Sequence, residues 1–385
     1  MRLAVYTDYV YRQVDGTLYA ERAFALFLAA LADEVDSLTL VGRISPQGEL
    51  RYRLPAEVRL APLTYYASLG NPAQALRGLL VSLRQLWRAL DGIDVLWALG
   101  PYPHGIVLVL FARLRRRRVV LGVRQNWPEY VRRRHPQRTW MHRLADAMEW
   151  MWRRLARRLP VVAVGGDLAT RYAHAPAVLN LTVSLVPARA IVSSAGPFDT
   201  PFTLPVLSVG RLDTEKNPLL LADVLSALAQ DDPRWNLVVC GDGPLGPQLA
   251  ARLQELGVHQ RAQLLGYVPM GDRLLDLYRS SFAMLHVSHT EGFPQVLIEA
   301  FACGLPVVAT DVGGVAAGTR DAALLIPPQD PLAAADALRR IAEEPGLRDR
   351  LVSRGLERSR EMTVEAQVAR LASFLADARP ARAAS

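Results

Sequence analysis

The chain has 385 residues, of which 51% are hydrophobic, and a formal net charge of +8. This length predicts two domains, and the apolar content is sufficient for a core in each. No apolar run reaches about 18 residues without a charge, which argues against a transmembrane helix. The first residues, MRLAVYTDYV, indicate a strand and not a signal peptide.

The two cysteines, Cys240 and Cys303, have apolar neighbours and are predicted to be buried thiols. They fit a reducing cytoplasm and form no metal-binding pattern. We therefore expect a cytoplasmic protein.

The charge is distributed unevenly along the chain. Residues 1–200 contain 27 arginines and 15 acidic residues, a net charge of +12, whereas residues 201–385 contain 18 basic and 22 acidic residues, a net charge of −4. The first half is therefore the part expected to contact an anionic partner. The chain has 44 arginines and one lysine, Lys216. Lysine is a compact point charge suited to phosphate. The use of lysine at position 216, in a chain that otherwise uses arginine, therefore predicts a phosphate contact.

In the first half, short apolar strands alternate with helical patterns. The predicted strands are 3–7, 37–42, 94–99, 119–123 and 161–165, and the predicted helices are 18–33, 73–90, 106–114 and 139–159. Residues 8–17 are predicted to form a loop that ends in Asp15-Gly16, and residues 44–72 are predicted to be irregular. The segment 193–205, rich in Pro, Ser and Gly, is predicted to be a linker.

The same alternation begins again after the linker. The predicted strands are 206–210, 235–240, 262–266, 282–288 and 307–310. Asn217 is predicted to cap a helix with Pro218 in its first turn, and further helices are predicted at 247–256, 273–280 and 295–303, from about 331 and 346, and at 364–378. Alternating strands and helices with short loops predict an α/β fold with parallel sheets.

In open parallel sheets, ligands bind beyond the carboxyl ends of the strands. At those ends in the second half lie Arg211 and Lys216, a turn beginning at Gly241, the segment Gly266-Tyr267-Val268, and residues 291–295. Arg211 and Lys216 are predicted to bind a diphosphate together. The backbone N–H and C=O groups of residues 266–268 are predicted to form hydrogen bonds with the edge of a nucleobase. Alternatively, Tyr267 is an ordinary half-buried aromatic residue.

Residues 288–314 place two carboxylates, Glu291 and Glu299, on either side of a predicted helix start. Gly292, Phe293 and Pro294 form the turn before that helix, which begins at about Gln295. A helix N-terminus favours a phosphate, and each carboxylate can accept hydrogen bonds from hydroxyl groups. This layout suits a nucleotide-sugar. The alternative is that both glutamates are simply solvated.

No metal site is predicted. His286 and His289 lie near a strand end, but no cysteine or carboxylate stands at ligand spacing with both, so they are interpreted as structural. The cationic side chains and the helix N-terminus would then stabilise a leaving diphosphate without a metal.

The second half resembles the retaining glycosyltransferases of family 4, or glycosyl transferases group 1. Residues 208–218, SVGRLDTEKNP, are similar to the family's Gly-Arg-Leu…Lys phosphate motif, and residues 290–314 to its motif of two glutamates separated by seven residues. VVCGDGP and LLGYVP are similar to intermediate landmarks in the same order. The resemblance covers about residues 205–314, whereas the first half is similar only in its alternation of elements.

The resemblance implies two Rossmann-like domains facing across a cleft, the GT-B architecture. We expect an acceptor domain at 1–195, a donor domain at 196–360 and a helix at 361–385 that returns to the first domain. Arg211 and Lys216 would bind the diphosphate, Glu299 the ribose, and Glu291 with the 292–295 backbone the donor sugar. Catalysis is assigned to Glu291, Arg211 and Lys216, with retention of anomeric configuration, no cofactor and no metal.

The sequence departs from the family's pattern mainly on the acceptor and sugar side. The first strand-to-helix loop has Gly16 but no Gly-Gly pair, and no Glu follows Gly314 near Ala316. Where many members have a histidine, this chain has Arg124-Gln125-Asn126, which suggests an acidic group on the acceptor or donor. These residues, with Asp15, Gly16 and His104, are the predicted acceptor or sugar side.

The basic first half has two interpretations. Arginine-rich helix faces are often only solvated. Alternatively, residues 113–118, 132–134 and the Trp/Arg helix near 150–158 contact anionic lipid, which would place the protein peripherally on the inner face of a membrane. Nucleic acid is not expected as a partner, because the aromatic residues do not fall on a predicted open sheet.

The acceptor is predicted to be a glycolipid, a lipid-linked or surface polysaccharide precursor, or a small molecule. Two other functions remain open. One is a related sugar-nucleotide enzyme such as an epimerase, which would release its sugar with no acceptor present. The other is a non-catalytic relative that binds nucleotide or membrane without turning over a donor.

Overall fold

The computed structural model describes residues 1–66, 72–194 and 202–377. The chain divides into two compact units. Unit 1 comprises Met1–Val183 with Val364–Ser385, and unit 2 comprises Ser184–Thr363. The first boundary therefore lies at 183/184 and not at the predicted 195/196. The reason is that Val186 and Ala190 pack into the core of unit 2. Part of the predicted linker, residues 195–201, lies outside the described residues.

In its described residues, unit 1 contains a sheet of nine strands. They are β1 (Arg2–Val14), β2 (Thr17–Ala20), β3 (Ser37–Ile44), β4 (Tyr52–Arg53), β5 (Val58–Leu63), β6 (Val95–Gly100), β7 (Arg118–Val123), β8 (Val161–Val164) and β9 (Val178–Leu181). Seven of them pair in parallel in the order β5-β3-β1-β6-β7-β8-β9, and β2 and β4 form an antiparallel extension beside the end of β1.

Within residues 1–66 and 72–183, the part of unit 1 before the boundary that the structure describes, there are six α-helices. They are α1 (Phe24–Ala29), α2 (Pro72–Arg88), α3 (Pro103–Leu114), α4 (Trp127–Arg134), α5 (Thr139–Ala156) and α6 (Gly166–Arg171). Leu86 of α2, Leu108 of α3 and Trp152 of α5 belong to one buried cluster with Leu96 and Leu121 of the sheet. These three helices therefore cover the same face of the sheet.

The predicted loop at 8–17 is wrong, and the predicted helix at 18–33 is confirmed only from Phe24 onward, where α1 continues into a 3-10 helix at Ala30–Glu34. β1 continues to Val14 and turns back through Asp15 and Gly16, whose φ angles of 48° and 77° are left-handed. A two-residue turn with positive φ at both positions matches the twist of an antiparallel hairpin, and Asp-Gly is well suited to it. Thr17–Ala20 therefore pairs with β1, and the helix begins only at Phe24.

Other elements of unit 1 also differ from the prediction. Residues 44–72 contain β4 and β5, and the prediction omits α4, α6 and β9. These elements are short, between two and eight residues long, and such segments give little periodic signal.

Outside the undescribed segment 195–201, unit 2 contains a six-stranded parallel sheet. Its strands are β10 (Leu204–Val209), β11 (Trp235–Cys240), β12 (Ala262–Leu264), β13 (Ala283–His286), β14 (Val307–Thr310) and β15 (Ala323–Ile326). Their order is β12-β11-β10-β13-β14-β15, so the direction of winding reverses between β10 and β13. In such sheets, the crevice beyond the carboxyl ends at the reversal point is where ligands bind.

Among the described residues of unit 2, seven α-helices flank this sheet. They are α7 (Leu219–Ala229), α8 (Gly246–Glu255), α9 (Asp272–Ser280), α10 (Gln295–Ala302), α11 (Val315–Thr319), α12 (Pro331–Glu343) and α13 (Leu347–Glu361). The prediction omits α11 and β15. Asn217 is not the cap of α7, because it adopts a left-handed φ of 49° and ends a short 3-10 turn at Thr214–Lys216. Pro218 occupies the N-cap position instead.

The last helix, α14 (Val364–Asp377), packs within unit 1. Leu371 and Leu375 are fully buried there. The side chain of Gln367 accepts a hydrogen bond from the backbone N–H of Thr182 at 3.2 Å, and Arg118 donates to the carbonyl of Ala376 at 2.6 Å. In the described parts of the chain, no helix combines the length and apolar character that crossing a bilayer requires.

Candidate functional site

The carboxyl ends of β10 and β13 carry a cluster of polar side chains in unit 2. After β10 the chain passes Arg211 and enters the 3-10 turn that contains Lys216. The carboxylate of Asp213 caps this turn by accepting the Lys216 backbone N–H at 3.2 Å. β13 ends at His286, and Glu291 follows five residues later. The reversal point of the sheet therefore brings together two segments that lie 75 residues apart in sequence.

Three donors converge on a single oxygen of Glu291. Lys216 forms an ion pair with Oε1 of Glu291. His286 Nε2 lies 2.9 Å from the same oxygen, and Ser288 Oγ donates to it at 2.7 Å. The carboxylate is thus fixed through Oε1, which orients Oε2 as the oxygen available for a further contact.

The protonation state of Glu291 follows from these contacts. Burial alone would raise the pKa of its carboxyl group, but the hydrogen bond with His286 and the charge of Lys216 outweigh burial and lower the pKa to about 2. At neutral pH this carboxylate is therefore ionised and accepts hydrogen bonds without donating them.

Sequence reasoning missed His286 and Ser288 as members of the cluster, since His286 was interpreted as structural. Both side chains are buried. They stand two positions apart at a strand end, where alternate residues point to the same side. That spacing, followed by a glutamate three residues after Ser288, is the signal that could have identified them.

Arg211 lies on the solvent side of the same loop. Its side chain is 67% exposed and pairs with Asp213 at 2.8 Å and with Glu215 at 3.2 Å. Among the described residues, Arg211 forms no hydrogen bond or ion pair with Glu291, whereas Lys216 pairs with Glu291 directly.

Gly313 and Gly314, which follow β14, lie against the backbone of segment 291–294 and hold it in place. Gly314 donates its N–H to the Glu291 carbonyl at 3.2 Å. A Cβ atom at Gly313 or Gly314 would lie under 3.0 Å from the carbonyl oxygen of Glu291 or Gly292, respectively. Phe293 packs its ring against Gly318, and Pro294 is buried as the N-cap of α10, with Gln295 as the first helical residue.

Glu299 occupies a separate environment on α10. Its side chain is 7% exposed, and its Oε2 accepts a hydrogen bond from the Tyr278 hydroxyl at 2.7 Å. Burial raises the pKa of this carboxyl group, although the hydrogen bond acts in the opposite direction. Within the described residues, no hydrogen bond or ion pair connects Glu299 to the Lys216–Glu291 cluster.

The loops after β11 and β12 are bonded to each other. Gly241 donates its N–H to the Gly266 carbonyl at 2.8 Å, and Tyr267 donates its N–H to Asp242 Oδ2 at 3.0 Å. The Gly266 carbonyl and the Tyr267 N–H, two of the backbone groups predicted to meet a nucleobase edge, therefore have partners within the protein. The Tyr267 ring is half exposed, whereas Val268 is buried.

The residues predicted for the acceptor or sugar side all lie in unit 1, in different environments. Asp15 and Gly16 form the exposed tip of the β1–β2 hairpin. His104 lies in the first turn of α3, buried and stacked on Tyr66 with a centroid distance of 5.1 Å. Burial lowers the pKa of His104 to about 4, so its imidazole is neutral at pH 7.

Arg124 follows β7 and is held by aromatic rings. Its guanidinium lies 3.6 Å from the centroid of the Phe24 ring and donates to the Tyr9 hydroxyl. Burial lowers the pKa of Arg124 to about 10. Gln125 is exposed, and Asn126 donates to Glu129 at 2.9 Å.

Unit 1 also contains a buried polar group that sequence reasoning missed. Asp8 on β1 pairs with Arg43 on β3 at 3.4 Å and accepts a hydrogen bond from the Tyr66 hydroxyl. Burial raises the pKa of Asp8. A buried carboxylate requires a cation or hydrogen-bond donors as partners. The position of Asp8 in the middle of an apolar run could therefore have indicated a buried polar group here.

No group of three or more His, Cys, Asp or Glu side chains in residues 1–66, 72–194 and 202–377 is arranged as a metal site would require.

Residues 203–358 match the model of the family described as Glycosyl transferases group 1. A D-inositol 3-phosphate glycosyltransferase of Corynebacterium glutamicum is 35% identical over 182 residues, which cover 45% of this chain and 43% of that protein. The chain thus spans less than half the length of this curated relative. The predicted resemblance to glycosyl transferases group 1 is confirmed for the second half of the chain.

Two solved structures resemble nearly the whole chain. Sucrose-phosphate synthase from Thermosynechococcus elongatus has a TM-score of 0.71 at 19% identity and covers 97% of this chain and 98% of its own. HepE of Anabaena, solved in complex with UDP, has a TM-score of 0.70 at 17% identity, and the match covers 98% of this chain and 100% of the HepE chain. At these identities the likeness establishes the fold, and it confirms the predicted GT-B class with two Rossmann-like units.

Proposed function

We propose that this protein, which carries a glycosyl transferases group 1 domain in residues 203–358, transfers a sugar from a nucleotide-diphosphate donor to an acceptor hydroxyl. The observation that carries the proposal is the Lys216–Glu291 pair at the reversal point of the unit 2 sheet. This pair combines a phosphate-binding cation with a hydroxyl-binding anion at the position where α/β sheets bind ligands.

Lys216 and Arg211 are the proposed contacts of the donor diphosphate. Both lie on the loop after β10, and their positive charges stabilise the charge that develops on a leaving diphosphate. Metal independence is part of the proposal, because the two cations supply this positive charge themselves. Its test is full activity after dialysis against a chelator.

Glu291 is the proposed contact of the donor sugar. Because its pKa is lowered to about 2, it is an acceptor for sugar hydroxyls and not a proton donor at neutral pH. Glu299 is the proposed contact of the ribose through Oε1, since Oε2 already accepts from Tyr278. Retention of anomeric configuration is proposed from the resemblance to family 4, and NMR of the first-formed product tests it.

The known activities and ligands named for similar proteins set the order of the substrate search. HepE was solved with UDP, so UDP is the first nucleotide to test. The curated relative is a D-inositol 3-phosphate glycosyltransferase, so inositol phosphates belong in the first acceptor screen beside lipid-linked and polysaccharide precursors.

A peripheral position on an anionic membrane belongs to the same proposal. It is supported by the net charge of +12 on residues 1–200, against −4 on the remainder of the chain.

The deciding experiment is calorimetric titration with UDP, GDP, ADP and CMP. Replacing a cation that contacts a phosphate removes a charge-assisted hydrogen bond, so Lys216→Ala and Arg211→Ala should each weaken binding about 10- to 100-fold. Arg234→Ala is a matched control, because Arg234 also pairs with a nearby aspartate but precedes β11, at the amino edge of the same sheet. If no nucleotide binds, or if Lys216→Ala binds as tightly as the wild type, the proposed donor site is wrong.

A further inference from the structure

The outward side of α2 and α3 in unit 1 exposes large apolar side chains. Between 42% and 74% of each of six such side chains is accessible to solvent: Leu76, Leu80, Val81, Trp87, Leu110 and Leu114. On α2, Leu76, Leu80 and Trp87 recur at helical spacing on one face, and the buried Leu86 lies on a different face. An apolar stripe of this width normally faces a partner and not water.

Arginines border this stripe, and one acidic residue lies near it, Asp91 after α2, which pairs with Arg115 at 2.7 Å. α2 carries Arg77, Arg84 and Arg88, and neither α2 nor α3 contains an Asp or Glu residue. Among the described residues, none of these three arginines takes part in an ion pair. The stripe is therefore both apolar and positively charged.

Trp87 joins the two helices into one surface. Its ring meets Phe111 of α3 edge to face with a centroid distance of 5.2 Å. The guanidinium of Arg115, just after α3, lies 5.0 Å from the centroid of the Trp87 ring. The half-exposed indole thus lies between apolar and cationic groups, an environment that tryptophan favours at a membrane–water interface.

We propose that the outward surface of α2 and α3, defined by the six apolar residues above with Arg77, Arg84 and Arg88, is the face that binds an anionic lipid membrane. The inference rests on the proposed membrane position of the protein and assigns it to specific residues. Leucine and tryptophan side chains would enter the headgroup region, and the arginines would contact lipid phosphates.

The observations favour this surface over α5, whose Trp/Arg pattern suggested lipid contact from sequence alone. α5 also exposes Trp140 and Trp150, but it contains Asp146 and Glu149. Asp146 pairs with Arg132 at 2.7 Å, and Glu149 pairs with Arg171 at 3.1 Å. These carboxylates reduce the positive charge near α5, whereas α2 and α3 carry none.

The test is co-sedimentation of the full chain with phosphatidylcholine vesicles, with and without about one-third phosphatidylglycerol. The charge variant is Arg77→Gln/Arg84→Gln/Arg88→Gln. Its matched control, Arg143→Gln/Arg153→Gln/Arg154→Gln, removes the same charge from α5. The apolar variant is Leu76→Gln/Leu80→Gln/Leu114→Gln, in which all three positions are exposed.

We expect the wild type to bind only the anionic vesicles. Each arginine near an anionic surface contributes about fivefold in affinity, so the α2 charge variant should lose about 100-fold and the α5 control much less. The apolar variant should lose at least about tenfold, since it removes three inserting side chains. Equal loss in the α5 control, or no loss in the apolar variant, would overturn the assignment.

Two further measurements separate this proposal from its alternatives. If light scattering shows a dimer that the apolar variant abolishes, the surface is an interface between two copies, and the lipid proposal is wrong. Nucleotide binding is measured on the same preparations. A wild type that binds nucleotide but not anionic vesicles overturns the membrane surface alone, whereas the reverse result overturns the donor site alone.

Discussion

The close approach of Gly313 and Gly314 to the Glu291–Gly292 backbone predicts a graded series of glycine-to-alanine variants. Gly313 has a left-handed φ of 54°, and a Cβ atom there would also collide with the Glu291 carbonyl oxygen. Gly314 has an ordinary φ of −87°, so its variant would suffer only the collision with Gly292. Gly257, with a φ of 70° and open space around it, would suffer only the conformational cost.

The expected magnitudes follow from these geometries. A left-handed alanine costs about 1–2 kcal/mol, which is the whole expected loss for Gly257→Ala. Overpacking in a closely packed region costs about 1–3 kcal/mol, which applies to Gly314→Ala. Gly313→Ala combines both costs and should lose about 2–5 kcal/mol. In the last two variants the Glu291 segment must also move, so nucleotide binding should weaken.

The assay combines urea unfolding with hydrogen exchange of peptides from residues 283–310, which reports on unit 2 independently of unit 1. Nucleotide titration of the folded variants gives the functional effect. Gly257→Ala should retain wild-type nucleotide affinity despite its lower stability. If Gly314→Ala is as stable as the wild type and binds nucleotide equally well, the glycine pair does not hold the Glu291 segment, and the reasoning fails.

Three other predictions concern single side chains. The lowered pKa of Glu291 contributes about 3 kcal/mol to the free energy of unfolding above pH 4.5, and this contribution should disappear as the pH falls from about 4.5 towards 2. Glu291→Gln should remove that part of the acid-unfolding curve. Tyr278→Phe deprives the buried Glu299 carboxyl group of its hydroxyl donor, so urea unfolding of unit 2 should show a loss of about 1–3 kcal/mol. Leu371→Ala in α14 should destabilise unit 1 by about 2–5 kcal/mol, and hydrogen exchange should show no change in unit 2.

Much of the fold could be predicted because its signals are periodic and local. The strand at 235–240 and the helix beginning at Gln295 were placed correctly, since an apolar run or a Gly/Pro boundary marks each of them. The β1–β2 hairpin could not be anticipated so easily. Its polar and aromatic residues gain their extended conformation from pairing with β3 and β2, a tertiary effect that overrides the local pattern.

The candidate site was predicted in part. The sequence placed Lys216 and Glu291 at neighbouring strand ends, and their ion pair shows that the two lie together. It could not show that His286 and Ser288 bind the same oxygen of Glu291, because that depends on the path of the chain between 286 and 291. The role of Asp242 as partner of the Tyr267 N–H was hidden for the same reason, since it joins two loops 25 residues apart.

The return of α14 to unit 1 constrains the order in which the chain can fold during synthesis. Unit 2 is continuous in sequence and is complete once Thr363 has been made. Synthesis of unit 1 begins before that of unit 2 but ends after it. The remaining apolar surface of unit 1 is buried by Leu371 and Leu375, which lie nearly 200 residues after Val183. On the ribosome, that surface stays uncovered throughout the synthesis of unit 2. The nascent protein therefore presents an apolar face suited to a chaperone until α14 docks.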